Sequence, residues 1–279
     1  MGPACRTRIV NPHTRVTNHS LPDYAERLRL QHVAFGAEFE EAFRRVLDDL
    51  RPAAVADVAC GDGSFTRMLS RIFPSAKIVG IDVDENFLRS ARQTTESSRI
   101  RFEHRNVLTD AVETESFNLV FCADSFQSIE DHGRLLRRMH RMLHPGGHLM
   151  VTETDNLHDL ILSLEPEREL ELRSIECSQQ SGPRRDGWVF PRHVTSYFRE
   201  LELSNICFDT VTVNRVAPLD EPVAAWLRRH LEDRLDAAGI SASSDLGRRM
   251  HPEGDEFIGN DSDLALTFLR YVATGHRPL

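Results

Sequence analysis

The chain has 279 residues, 34 basic and 43 acidic side chains, a net charge of −9 and 40% hydrophobic content. Lys77 is its only lysine, and the other basic residues are arginines. These totals exclude a disordered chain, disfavour a general nucleic-acid binder, which needs a basic excess, and leave lysine Schiff-base chemistry one candidate residue.

The length fits one large domain, or one domain with an elaboration. No run of about 18 apolar residues occurs, so no membrane span is expected. Residues 1–20 are polar, carry Arg6, Arg8 and Arg15, and lack the apolar centre of a signal peptide. The five cysteines (Cys5, Cys60, Cys122, Cys177, Cys207) are odd in number and form no CxxC pair. That usage points to the reducing cytoplasm and away from a disulfide framework or a zinc module.

After an irregular start, residues 23–50 read as a helix. Leu28, Val33, Phe35, Phe39, Phe43, Val46, Leu47 and Leu50 recur near a helical period, and Pro52 stops it. Strands and helices then alternate: strand 55–60, helix 64–73, strand 77–82, helix 85–93, and strands 100–106 and 117–123. An amphipathic helix at 131–143 and a Pro145-Gly146-Gly147 turn lead into strand 148–153. Such alternation predicts a doubly wound, mostly parallel sheet with helices on both faces. Further on, helices are expected at 165–178, 193–201 and 222–238, and strands at 206–213 and 265–274. The expected organisation is an N-terminal segment and lead helix (1–50), a core (51–214 plus 265–279) and a helical cap inserted before the last strand (215–264).

Residues 55–63 read Val-Ala-Asp-Val-Ala-Cys-Gly-Asp-Gly and fall at a strand-to-helix turn, where glycine lets backbone approach a ligand. Asp82 ends the next strand, and a carboxylate there suits a ribose diol. A dinucleotide fingerprint would place a third glycine at 66, for close helix packing near a pyrophosphate. Thr66 stands there instead, which favours a nucleoside cofactor without a pyrophosphate.

With that motif in place, residues 55–153 resemble the class I S-adenosylmethionine-dependent methyltransferases. The matching pieces are DVACGDG (57–63), IVGIDVD (78–84), HRNVLTD (104–110), FNLVFCADSF (117–126) and LLRRMHRMLHPGGHLMVTE (135–153). Residues 26–32 also resemble the lead helix of some small-molecule members. The resemblance implies a Rossmann-like, seven-stranded sheet, S-adenosylmethionine as cofactor and S-adenosylhomocysteine as product. It implies that Ala59, Gly61 and Gly63 offer backbone to the methionine part. Asp82 would bind the ribose, Val83, Asn106 and Val107 the adenine, and Ala123 would lie beside the sulfonium. Tyr24 and Gln31 of the lead helix either close the cofactor site or belong to the polar face of an ordinary amphipathic helix. Three positions depart from the family pattern. Ala59 replaces a glycine. Asn106 replaces an aspartate, its carbonyl still able to accept from the adenine amino group. Asn118 replaces an aspartate of the fourth strand.

Methyl transfer needs nucleophile, methyl carbon and sulfur held in line, and a general base where the nucleophile carries a proton. His158 with Asp155 as its orienter is the candidate pair, because both follow the fifth strand at its C-terminal edge. The alternative is that these polar residues cap a loop. Trp188, Phe190 and His193 are candidates for the acceptor pocket, or core residues of a folded loop. His140, His144 and His148 have metal-like spacing, but the Pro-Gly-Gly turn separates His148 from the others' face, so no metal is expected.

The expected function is methylation of oxygen or nitrogen on a small molecule, in specialised metabolism. The acidic balance disfavours RNA, and no membrane partner is expected. An RNA or protein methyltransferase and a non-catalytic cofactor-binding protein are the alternatives. Arginine-rich helix faces are compatible with a homodimer.

Overall fold

The computed structural model describes residues 21–180 and 183–279, with side chains from residue 26 onward except at 181–184. The lead helix α1 (Leu21–Val46) comes first. Four strands then alternate with three helices: β1 (Ala54–Val58), α2 (Ser64–Ile72), β2 (Lys77–Asp82), α3 (Glu85–Gln93), β3 (Ile100–His104), β4 (Phe117–Ala123) and α4 (His132–Met142). The chain continues through β5 (Leu143–Glu153), β6 (Leu160–Leu162), α5 (Pro166–Gln179), α6 (Pro183–Trp188), α7 (Val194–Glu200), β7 (Ser204–Val216), α8 (Glu221–Ala238), α9 (Asp245–Met250) and β8 (Ala265–His276).

The sheet runs β3-β2-β1-β4-β5-β8, with β7 on the far side of β8. Pairing is parallel from β3 to β5, and β8 is antiparallel to both β5 and β7. The order reverses between β1 and β4, which opens a crevice at the strand C-termini. Short segments follow β1, β2, β3 and β4 there.

Among the described residues the sheet has eight strands, one more than expected. β5 pairs with β8 only as far as Glu153 opposite Tyr271, and β6 pairs with Phe268, Thr267 and Leu266 beyond that point. β8 is twelve residues long, so its first half offers an edge that β5 does not reach. Three residues, Leu-Ile-Leu, are too short to announce a strand in the sequence. The helices α6 and α9, six residues each, also lie outside the expected elements.

Hydrophobic side chains fill both faces of the sheet. On one face Phe35, Phe39 and Phe43 of α1 pack with Phe65, Phe121, Trp226 and Phe268. On the other, Leu135, Leu136 and Met139 of α4 pack with Phe126, Phe190 and Phe198. Phe35 stacks on Phe268 at 4.9 Å and meets Trp226 of α8 edge-on at 4.6 Å, and Trp226 meets Phe268 at 5.2 Å, so α1, α8 and β8 join in one ring cluster. Lys77 is exposed at the first position of β2, the end opposite the crevice.

Candidate active site

The turn after β1 is tight. Ala59, Gly61 and Gly63 take φ of +57°, +53° and +77°. Glycine adopts such values freely, whereas an alanine Cβ costs roughly 1–2 kcal/mol there. Gly63 has a second constraint. A Cβ on it would stand 2.8 Å from Phe102 and 3.1 Å from Ala91, so packing against β3 and α3 also requires glycine. Beneath the turn, Asp57 is buried and accepts from the Thr66 hydroxyl. Burial pushes the Asp57 carboxyl up to about 7. Thr66 thus anchors the turn through Asp57, at the position where a dinucleotide fold needs glycine.

Asp82 ends β2 facing this turn. Its Oδ2 accepts from the Gly61 N–H at 2.8 Å, and its Oδ1 from the Asp84 N–H at 2.9 Å. Burial raises its pKa against those hydrogen bonds. Val83 follows, 58% exposed, an apolar side chain left open at the crevice. The His104 ring is 2.9 Å from the Val83 carbonyl and fixes that corner.

Asn106 is arranged differently from the expectation. Its side-chain carbonyl accepts from the Leu108 N–H at 2.9 Å. The oxygen expected to accept from an adenine amino group thus already accepts one bond in a local turn, with its second lone pair left for a ligand. Val107 is buried, and its carbonyl accepts from Arg138 Nε at 2.7 Å. Arg138 of α4 thus holds the segment after β3. Asn118 accepts from the Ala53 and Ala54 N–H groups at 2.9 and 3.0 Å. This stapling of β1 needs an oxygen but no negative charge.

β4 ends at the buried Ala123, and Asp124 turns the chain with φ +49°. Its carboxylate accepts from Arg270 of β8 at 2.9 and 2.7 Å and from Gln31 of α1 at 3.2 Å. Glu153 closes the corner from β5: its Oε1 accepts from the Ser125 and Phe126 N–H groups. Its Oε2 is buried with no partner among the described residues. Burial and the Asp124 charge push the Glu153 carboxyl up to about 8. One crevice therefore collects a tight glycine turn, a strand-end carboxylate and an apolar exposed residue, with a buried acidic corner and α1 closing over them.

Residues 55–147 match the family described as a methyltransferase domain. Trans-aconitate 2-methyltransferase of Variovorax paradoxus is 36% identical over 104 residues, 37% of this chain and 39% of that protein. Demethylmenaquinone methyltransferase of Staphylococcus aureus is 30% identical over 116 residues, 40% of this chain and 48% of that protein. The chain spans less than half the length of these two relatives. Phosphoethanolamine N-methyltransferase 2 of Haemonchus contortus, solved with phosphomonomethylethanolamine and S-adenosylhomocysteine, has a TM-score of 0.56 at 16% identity. That likeness covers 95% of this chain and 61% of that one, and it is one of fold.

Residues 55–147 carry a methyltransferase domain, and S-adenosylmethionine is its cofactor.

The crevice of the methyltransferase domain fits that cofactor's parts. Asp82 sits at a strand end, where a carboxylate could accept from a ribose diol, and Val83 leaves an apolar surface beside it. The Ala59–Gly63 turn presents backbone with little side chain in the way. α1 forms the lid: Leu28 would lie 3.7 Å from a Cβ on Gly61, and Gln31 reaches Asp124. Tyr24 is on the first turn of α1, but its side chain lies outside the described residues.

On the acceptor side, Asp155 and His158 are not paired as expected. The Asp155 carboxylate accepts from Arg192 Nε at 2.5 Å and Nη2 at 3.2 Å, and from the Leu157 N–H. His158 meets Asp155 only through its backbone N–H, and its ring is exposed. A guanidinium outcompetes an imidazole for a buried carboxylate because it is always charged and donates in a fork. Trp188 is half-buried, and its carbonyl accepts from the Asn156 backbone and side chain at 3.1 and 2.9 Å. Phe190 stacks on Phe126 at 3.8 Å inside the core. His193 is exposed at the start of α7. Gly187 brings this segment onto the β4 exit, since a Cβ there would be 2.5 Å from the Phe126 carbonyl.

The exit loop is also tied to α5 and α8. Arg173 of α5 and Arg234 of α8 both donate to the Asn156 carbonyl, at 2.8 and 3.2 Å. Arg234 also binds Asp159 at 3.0 Å and Glu176 at 2.6 Å. The Arg234 guanidinium and its neighbours hold the Asp159 carboxyl well below the usual range.

Sequence reasoning missed Asp124, Arg270, Glu153 and Arg192. Arg270 left a signal, a lone arginine inside the apolar run 265–274. Asp124 and Glu153 stood inside quoted motifs without a role.

Proposed function

We propose that this chain is an S-adenosylmethionine-dependent methyltransferase acting on oxygen or nitrogen of a small molecule, in specialised metabolism. The observation that carries the reading is the Asp82–Gly61 contact, a strand-end carboxylate locked onto the glycine turn of a methyltransferase domain. S-adenosylmethionine supplies a methyl on a sulfonium that departs as a neutral thioether, so little charge must be created by the protein. Asp82 holds the ribose, Val83 and Val107 flank the adenine, and the Ala59–Gly63 backbone holds the methionine part. Gln31 and Leu28 exclude water from above by keeping α1 seated.

The net charge of −9 favours a small acceptor over RNA. The named relatives that act on trans-aconitate and demethylmenaquinone support the same choice. Residues 215–264, with α5, form the cap over the acceptor, tied to the β5 exit by Arg173 and Arg234. His158 is the base in this reading, exposed at that exit and working without Asp155 as orienter. Arg192, held by Asp155, faces the same loop.

The experiment is transfer of labelled methyl from the cofactor to a panel of carboxylic acids, phenols and amines, beside RNA and protein fractions. Label in an extractable small molecule supports the reading. Label confined to RNA or protein contradicts it. His158→Ala is expected to lower turnover at neutral pH with cofactor affinity retained, and an unchanged rate removes His158 from the mechanism.

A further inference from the structure

His32 lies on α1 one turn after Leu28, the residue that leans on Gly61. Its Nδ1 is 3.1 Å from the Leu28 carbonyl oxygen. A carbonyl only accepts, so Nδ1 carries the hydrogen and the neutral ring presents a lone pair at Nε2. Burial favours that neutral form. Nε2 is buried and has no hydrogen-bond partner among the described residues. The ring is fixed in place, edge-on to Phe65 at 4.3 Å and to Phe39 at 6.3 Å.

The charged groups bearing on His32 are Asp62 in the glycine turn and Asp124 and Arg270 at the β4 exit. The ring packs on Phe65, two residues beyond Gly63, and the neighbouring Gln31 reaches Asp124, so His32 lies close to both segments that flank the methionine part in the proposed function. A buried acceptor left without a donor costs about 1–3 kcal/mol, and such groups are rare in folded proteins. The methionine part carries the missing donor, an α-ammonium group.

We infer that His32 is a cofactor-binding residue, its Nε2 accepting a hydrogen bond from the α-ammonium group of the methionine moiety. This rests on the cofactor reading given above. It adds a side-chain contact at the amino-acid end, where the glycine turn supplies backbone. It also gives the lead helix a direct part in recognition. Phe65 and Phe39 hold the ring in one orientation, so little rotamer freedom is lost on binding.

The test uses two ligands that differ at that end. S-adenosylhomocysteine carries the amino-acid group, and 5′-methylthioadenosine has the adenosine and thioether without it. Each is titrated calorimetrically into the full chain, its His32→Ala variant and its His32→Gln variant, whose amide oxygen can accept. His32→Ala is expected to weaken S-adenosylhomocysteine about ten-fold or more and to leave methylthioadenosine unchanged. His32→Gln is expected to recover part of the loss. Equal loss for both ligands assigns His32 a purely structural role and overturns the inference, as does an unchanged affinity for S-adenosylhomocysteine. A Gln variant no better than the Ala variant overturns the acceptor role. If the unmodified chain binds neither ligand, the cofactor reading itself falls, and that result is visible before any variant is made.

Discussion

Arg270 donates from one terminal guanidinium nitrogen to both oxygens of Asp124, at 2.9 and 2.7 Å, while itself fully buried. Its guanidinium also lies 4.7 Å from the Phe39 ring centre and 5.4 Å from that of Phe65. Removing the carboxylate charge leaves a buried cation without its counter-ion, which costs more than removing both. Asp124→Asn is expected to destabilise by about 3–5 kcal/mol. Adding Arg270→Met to it should recover much of that. Urea denaturation followed by circular dichroism checks both, and a single variant within about 1 kcal/mol of the unmodified chain contradicts the pairing.

Glu153 makes stability depend on pH in a stated direction. Its folded pKa of about 8 lies above the ordinary 4.5, so the folded state holds the proton more tightly than the unfolded state. Below about pH 4.5 both states are protonated and no penalty exists; above about pH 8 the penalty is complete. Asp57, raised to about 7, contributes with the same sign. Stability should therefore fall between pH 5 and 8. Glu153→Gln, which keeps the Oε1 acceptor and cannot ionise, is expected to flatten that fall. Its advantage over the unmodified chain should grow to the order of 2–4 kcal/mol at pH 8. Parallel pH curves for the two proteins would show that Glu153 does not titrate in this window.

Ala59 holds φ +57° where the family has glycine. Ala59→Gly removes the left-handed penalty of roughly 1–2 kcal/mol and adds a backbone-entropy cost of roughly 0.5–1 kcal/mol. The net expectation is a gain of up to about 1 kcal/mol, seen as a higher melting temperature. A clear loss of stability would mean that the turn does not adopt this conformation.

The Asn106 carbonyl is engaged by the Leu108 N–H. Asn106→Asp keeps that contact and turns the second polar atom from a donor into an acceptor. S-adenosylhomocysteine is expected to bind several-fold more tightly to this variant, because a carboxylate offers the adenine amino group a second and charged acceptor. Titration calorimetry checks this, and weaker binding would place a ligand acceptor, not a donor, opposite Asn106.

Most of the parallel half of the fold was legible in the sequence because each strand ends in turn chemistry. Strand 77–82 and helix 85–93 match β2 and α3 residue for residue. Asp84 caps α3 through the Asn86 N–H. The short β6 was not legible, since three apolar residues gain strand character only from the open edge of β8. The same division holds in the site. Asp82 and the glycine turn are local in sequence, and the structure brings them together. The Asp124–Arg270 pair spans 146 positions and the Asp155–Arg192 pair spans 37, so neither has a local signature. The expected Asp155–His158 pair was local and plausible by spacing, but the tertiary fold delivered a stronger partner to that carboxylate.

Calorimetric titration of S-adenosylhomocysteine into the full chain and its Asp82→Ala variant tests the central claim most directly. The prediction is one-to-one binding to the unmodified chain and a loss of about 100-fold or more in the variant, with the far-ultraviolet circular dichroism spectrum retained. No binding to the unmodified chain, or equal affinity in the Asp82→Ala variant, would contradict it.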